Sequence, residues 1–310
     1  MATPYHVVDA AQFTVAELND LFISADEMEE LVLRNGVTDT LANRVMVILF
    51  YQPSTRTRLS FEAAMSRLGG HYISTENALH FSSHAKGESL EDAIQTVACY
   101  GDVVVLRYHK EGGAKRAARV SPVPLINAGD GPGEHPTQAL LDMYTIRKQF
   151  GNIDNLGIAL VGDLKHSRTI HSLAYLLASY PVRKIYLVSP ESVTMPRALL
   201  EHLWQCGVVV EESRQLVDVA EDVEVIYTTR LQQEYFDEPE LYQATQGQYI
   251  LTDEVMQLLP QEAIILHPLP RNEEIPYKVD HDSRARYFQQ VRNGLYMRMA
   301  LLERVLLGVD

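Results

Sequence analysis

"RVMVILF" (44–50) and, after one tyrosine, "QPSTRTRLSFEAAM" (52–65) form the stretch on which the reading of this chain turns. The first part is continuously apolar rather than alternating, the mark of a strand buried on both faces. The second part begins polar and runs without a break into a helix, with Phe61, Met65 and Leu68 at i, i+4 and i+7. A strand, a hydroxyl-rich turn and a helix in that order open a βα unit, which predicts a parallel sheet in an α/β fold.

The turn carries an electrostatic conflict. Arg56 and Arg58 stand at the start of the helix, where the backbone dipole is already positive and cations are disfavoured. Arg58 has Glu62 at i+4 and reads as one half of a surface pair. The same spacing offers Arg56 no carboxylate. Ser54 reads as an ordinary N-cap. Taken together, the hydroxyls of Ser54, Thr55 and Thr57, the unsatisfied N–H groups of the first turn and the Arg56 guanidinium make an anion cradle of the phosphate kind. The G-x-x-x-x-G-K-[ST] pattern is absent, so this is not a Walker loop.

Outward from this unit the strand–helix alternation repeats. Strand-like runs follow at 102–107, 123–126, 156–162, 184–189, 207–211, 223–228 and 263–267. Between them lie helical stretches, including Leu140, Met143 and Tyr144 at i, i+3 and i+4, "SLAYLLASY" (172–180) and "RALLEHLWQC" (197–206). "NAGDGPGEHPTQ" (127–138) is a glycine-rich junction, and a new strand series starts after Gly151, so the pattern predicts two doubly wound domains. The apolar helix "GLYMRMALLERVLLG" at the end belongs to either domain on pattern alone.

Ligands of open α/β sheets sit where strands end and helices begin. Those places here hold Ser54 to Arg58, then Arg107, His135 with Gln138, Lys165 with Arg168, Arg230 with Gln232, and "HPLPR" (267–271). Arginines recur at these strand ends, which predicts a site for a small, multiply anionic ligand.

Composition narrows the classes. With 310 residues, 46% apolar and 22% charged, the chain has the make-up of a soluble globular protein of two domains. No apolar run nears the roughly 18 residues of a membrane span, and "MATPYHVVDAAQF" does not read as a secretory signal. A net charge of −14 without a basic run argues against nucleic acid or anionic membrane as partners. Cys99 and Cys206 lie far apart in segments that look apolar, which suggests neither a disulfide framework nor zinc and fits a reducing compartment, by default the cytoplasm.

The remaining motifs each have a bland reading. "SSHAKGES" (82–89) reads as a mobile, solvated loop in which Lys86 is incidental. His80 and His84 stand at i, i+4, but no H-E-x-x-H pattern and no helical signal supports a metal site. "GDGPGEHPTQ" does not match G-x-G-x-x-G, so dinucleotide binding is weakly supported. His135 before Pro136 is either a helix-capping histidine or a neutral imidazole that donates to a carbonyl oxygen. "LHPLPRNEE" is either a rigid connector or a turn that aims the Pro268 carbonyl at a ligand N–H. No Ser/His/Asp or Cys/His nucleophile set stands out.

"STRTRLSFE", "KGES", "NAGDGPGEHPTQALLD", "VGDLKHSRTIHSL", "TTRLQ", "HPLPR" and "YFQQVRNGLYMRMALL" together resemble, in order and approximate spacing, the catalytic chains of the aspartate transcarbamoylase family. The resemblance covers nearly the whole chain. It implies transfer of the carbamoyl group of carbamoyl phosphate to L-aspartate at the start of pyrimidine synthesis, with no metal or cofactor. By motif, it implies that Ser54, Thr55, Arg56, Thr57 and Arg107 hold the phosphate. Thr57, Arg107 and His135 would polarise the carbamoyl oxygen, and Gln138 with the carbonyls of Pro268 and Leu269 would hold the carbamoyl nitrogen. Arg168, Arg230 and Gln232 would bind aspartate. Ser82 and Lys86 would reach a neighbouring subunit's site, which reverses the bland reading of Lys86 and implies a homotrimer. The implied domains are 1–136 with 292–310 for carbamoyl phosphate, and 137–291 for aspartate, with the last helix returning to the first.

This chain departs from the family pattern at Ala85, often basic, and at Ser167, usually glycine. The rivals are an ornithine transcarbamoylase, whose family typically has Cys where Pro268 stands, and a non-catalytic scaffold, against which the intact site motifs argue. A regulatory chain or another pathway enzyme as partner is left open.

Overall fold

The structure, a computed structural model, describes residues 4–34, 36–231 and 249–308. It comprises two compact units, Met1–Leu141 with Arg292–Asp310, and Asp142–Val291.

In the first unit the elements run α1 (Val15–Arg34), β1 (Val45–Phe50), α2 (Thr55–Arg67), β2 (His71–Thr75), α3 (Ala78–Phe81), a 3-10 turn (Ser83–Lys86), α4 (Leu90–Val97), β3 (Val103–Tyr108), α5 (Gly113–Val120) and β4 (Leu125–Asp130). The strands form a four-stranded sheet in the order β2-β1-β3-β4, every neighbouring pair parallel. The chain leaves β1 toward β2 on one side and returns to β3 on the other, so the topological switch lies between β1 and β3. Parallel strands covered on both faces need apolar side chains throughout, and β1 and β3 supply them: Met46 to Phe50 and Val103 to Leu106 are buried. Phe61, Met65 and Leu68 are fully buried, as their spacing predicts, each contributing about 1.5–3 kcal/mol of transfer free energy. The helix stops because Gly69 takes φ +77, where a Cβ would meet the Thr38 carbonyl oxygen at 2.4 Å.

The second unit carries β5 (Gly157–Val161), α7 (Arg168–Leu177), β6 (Lys184–Val188), α8 (Arg197–Gln205), β7 (Val210–Ser213), β8 (Val225–Thr228), α9 (Asp253–Leu258) and β9 (Ile264–Leu266). Its sheet has the order β7-β6-β5-β8-β9, again parallel, with its switch between β5 and β8. Its core gathers Val161, Val188, Ile226, Ile265 and Tyr287. The chain passes from unit to unit within α6 (Pro136–Phe150) and within α10 (Tyr287–Leu307).

The last helix returns to the first unit, as the resemblance implied. Arg298 is buried with its guanidinium 5.2 Å from the centre of the Phe61 ring, and Arg304 pairs with Glu17 at 3.5 Å.

Some expectations need correction. β2 was missed: "HYIST" is an edge strand with four of its five residues exposed, so it has no continuous apolar run to betray it. Residues 82–89 are not a bare loop; Ser82 caps the turn Ser83–Lys86, and Gly87 closes it at φ +98. Cys99 and Cys206 are both exposed, despite their apolar neighbours in sequence. Among the described residues, no helix is long and apolar enough to cross a membrane.

Candidate active site

The residues of the expected cradle lie at the switch point of the first unit. Phe50 at the end of β1 is the register partner of Arg107 in β3, and Tyr51 donates its N–H to the Arg107 carbonyl at 2.8 Å. The chain then turns so that Ser54 becomes the N-cap of α2, with Thr55, Arg56 and Thr57 as its first turn. Ser54 has the extended backbone of a cap, yet its hydroxyl makes no capping bond. The plain N-cap reading of Ser54 is therefore incomplete.

Arg58 behaves as its spacing predicts, 3.4 Å from Glu62, and it gains a second carboxylate, Glu76, also at 3.4 Å. Glu76 additionally accepts the Ser54 N–H at 2.9 Å and so braces the turn. Arg56 is exposed as a residue, but protein packed around its guanidinium lowers its pKa by desolvation. An arginine so placed stays cationic at any working pH. Arg107 donates to the Ala128 carbonyl at 3.3 Å.

β4 leads into the turn that places His135. The Asp130 carboxylate accepts N–H groups of Gly112 at 3.0 Å and Glu134 at 2.9 Å. Burial raises the Asp130 pKa, against the opposing pull of those backbone bonds. The result is a fixed turn with His135, 4% exposed, just before α6. Its Nδ1 lies 3.4 Å from the Thr137 hydroxyl, and its carbonyl accepts the N–H of Gln138 at 3.0 Å. The imidazole thus belongs to the residue just before the N-terminus of α6.

The segment of Ser82 and Lys86 is moored through His84, whose ring meets Tyr51 edge-on at 5.1 Å and whose Nδ1 is 3.1 Å from the Glu88 carbonyl. Burial pushes the Tyr51 phenol up to about 12. Ser82 spends its hydroxyl locally, donating to the Ala78 carbonyl and accepting from the His84 N–H at 3.1 Å. Lys86 is exposed. Among the described residues, no group of three or more His, Cys, Asp or Glu side chains is placed to hold a metal ion.

The second unit repeats the arrangement with other means. Gly162 follows β5 at φ +111, and a Cβ there would lie 2.3 Å from the Thr229 carbonyl oxygen, so only glycine lets the loops after β5 and β8 approach this closely. Asp163 accepts the His166 N–H at 2.9 Å and shapes the turn into α7. Arg168 is the first residue of that helix, behind the N-cap Ser167. Arg230 follows β8 and is half-buried. Gln232 lies outside the described residues.

After β9 comes the turn of Pro268 and Leu269. Leu269 adopts φ +53, and the Leu269–Pro270 peptide is cis. His267 accepts the Leu269 N–H on Nδ1 at 2.7 Å and faces Glu274 with Nε2 at 2.9 Å. Burial opposes ionisation of Glu274, but the bonds from His267 and the Asn272 N–H outweigh it and hold its pKa below the usual carboxylate range.

Residues 5–148 match the family described as "Aspartate/ornithine carbamoyltransferase, carbamoyl-P binding domain", and residues 154–305 match its "Asp/Orn binding domain". The chain belongs to the aspartate/ornithine carbamoyltransferase family.

Within that family it is 52% identical over 308 residues to the chloroplastic aspartate carbamoyltransferase of Oryza sativa subsp. japonica, covering 97% of this chain and 85% of the relative. It is 50% identical over 303 residues to the aspartate carbamoyltransferase catalytic subunit of Methanopyrus kandleri, covering 97% of each. The aspartate transcarbamoylase of Trypanosoma cruzi in complex with N-(phosphonacetyl)-L-aspartic acid has the same fold at TM-score 0.93 and 40% identity, over 98% of this chain and 96% of that one.

Motif reading of this carbamoyltransferase missed Glu76, His267 and Glu274. Glu76 follows a strand that was itself missed. His267 and Glu274 stand within "HPLPRNEE", but only the folded turn shows that they meet.

Proposed function

We propose that this chain transfers the carbamoyl group of carbamoyl phosphate to the amine of L-aspartate, giving N-carbamoyl-L-aspartate and phosphate. One observation carries the choice of acceptor. Arg168, the first residue of the helix after β5, and Arg230, which follows β8, stand beyond the two strands that flank the second unit's switch point, and they suit carboxylates and oppose a cationic side chain such as ornithine's. Relatives at 50–52% identity are named aspartate carbamoyltransferases, which supports the same reading.

In this reading Ser54, Thr55, Arg56, Thr57 and Arg107 bind the phosphate. The aspartate nitrogen attacks the carbamoyl carbon, and Thr57, Arg107 and His135 donate to the oxygen on which negative charge builds. The C–O bond to phosphate then breaks, and phosphate departs with the electron pair and accepts the amine proton. Gln138 and the carbonyls of Pro268 and Leu269 fix the carbamoyl nitrogen, while Arg168, Arg230 and Gln232 hold aspartate. In this reading the domain 1–136 with 292–310 serves carbamoyl phosphate and 137–291 serves aspartate, whereas the compact units divide five residues later, between Leu141 and Asp142. Binding both substrates in line supplies much of the remaining acceleration.

The exposed Lys86 supports a homotrimer in which the 82–89 segment, with Ser82, serves a neighbouring subunit. Ser82 would first have to release its local bonds. A partner enzyme or regulatory chain is compatible with relatives named as a catalytic subunit and, in Squalus acanthias, as a multifunctional protein. Two exposed free thiols suit a reducing compartment, and we place the chain in the cytoplasm.

The test is a product assay with carbamoyl phosphate and either aspartate or ornithine. Carbamoyl-aspartate is expected; no product with aspartate overturns the proposal.

A further inference from the structure

The turn after β9 is held more tightly than a connector requires. His267 is 1% exposed, and its N–H donates to Gln290 Oε1 at 2.9 Å. Because Nδ1 accepts the Leu269 N–H, the ring proton resides on Nε2 and points at Glu274 Oε1. The same carboxylate oxygen accepts the Asn272 N–H at 2.9 Å, so Glu274 ties the ring to the far side of the turn. Beyond it, Arg271 is paired with Asp280 and lies 4.7 Å from the Tyr277 ring centre and 5.1 Å from that of Tyr287. Leu269, between these anchors, is left-handed at φ +53, a conformation a leucine keeps only where its surroundings impose it.

We propose that His267, oriented by Glu274, is a positioning residue that aims the carbonyls of Pro268 and Leu269. Through them it makes the site prefer an acyl phosphate bearing an NH2 group to one bearing a methyl group. The inference rests on the transferase reading above. Carbonyls set by a fixed turn can accept from an NH2, whereas a methyl leaves them unpaired, and this asymmetry is what discriminates. A histidine that merely filled space would be indifferent to which ring nitrogen accepts and which donates.

The experiment measures dissociation constants of the whole enzyme for carbamoyl phosphate, acetyl phosphate and inorganic phosphate, with aspartate carbamoylation followed in parallel. His267→Ala is expected to weaken carbamoyl phosphate by about tenfold, the scale of one hydrogen bond, with acetyl phosphate and phosphate within about threefold of wild type. His267→Asn keeps an acceptor two residues before the Leu269 N–H, as an Asx turn does, and should recover most of the preference. Equal weakening of carbamoyl and acetyl phosphate, or an Asn variant no better than Ala, overturns the inference. If His267→Ala does not fold, Glu274→Gln and Glu274→Ala decide it. Gln still accepts from Nε2 and should keep more of the preference than Ala; no difference between them overturns the proposal. A wild-type chain that makes no carbamoyl-aspartate instead overturns the transferase reading.

Discussion

The two units solve one problem twice, with different chemistry. Each is a parallel sheet whose strand order reverses, between β1 and β3 in one and between β5 and β8 in the other. Each puts an arginine in the first turn of a helix, Arg56 on α2 and Arg168 on α7, against the helix dipole. The surroundings differ. Arg56 stands among Ser54, Thr55 and Thr57, so in the proposed reading hydroxyls, N–H groups and guanidinium address one compact anion. The second unit instead offers Arg168 and, after β8, Arg230, which in the proposed reading address the carboxylates of aspartate. In that reading the shared topology sets where each anion would sit, and the side chains set which anion it would be.

Removing Arg56 should break the comparison most severely. Arg56→Ala is expected to lower kcat by about 10²–10³-fold or more with an unchanged circular dichroism spectrum; near-normal turnover would refute the cradle. Phe61→Ala, which empties the space beneath Arg298, should cost about 3–5 kcal/mol in urea unfolding. A loss below about 1 kcal/mol would mean that the final helix contributes little to the first unit.

Arg168→Ala or Arg230→Ala should reduce kcat/KM for aspartate by about 10- to 100-fold and leave phosphate affinity unchanged. Weakened phosphate binding would blur the division of labour. Mixing Lys86→Ala with Arg56→Ala protein should restore part of the activity if subunits share sites; no recovery after verified subunit exchange counts against sharing.

The smallest effect concerns pH. The Arg271 guanidinium holds the Asp280 carboxyl at about 2, below its ordinary 3.8. Because the folded pKa is depressed, the stability this pair adds is present above about pH 4 and lost as pH falls toward about 2. Asp280→Asn should therefore lower Tm at pH 7 and converge on wild type near pH 2. A gap that persists at low pH would rule the pair out as its cause. The single tryptophan, Trp204 on α8, offers a fluorescence signal from the second unit in these melts.

Much of this was legible before folding, for physical reasons. β1, β3 and β5 are buried on both faces, so their apolar runs had to be continuous. β2 is an edge, where Tyr72 and Ile73 are 42% and 45% exposed, and nothing required it to advertise itself. The proposed cradle could be named from sequence because its parts are consecutive there. Glu76 and the His267–Glu274 pair were not, since a bond between a strand end and a residue beyond the next turn depends on how the loop closes. Local spacing does reach Arg58 and Glu62, yet it cannot reveal that Glu76 arrives from another strand.

The split first unit constrains the order of synthesis. Phe61 and Arg298 meet in the folded protein, yet all of Asp142–Val291 is translated between them. The second unit is therefore synthesised in full before the first receives its closing helix. A nascent chain halted before Arg292 should leave the Phe61 region open to protease. The domain begun first is the one finished last, and until then its unsealed apolar face is where a chaperone would be needed.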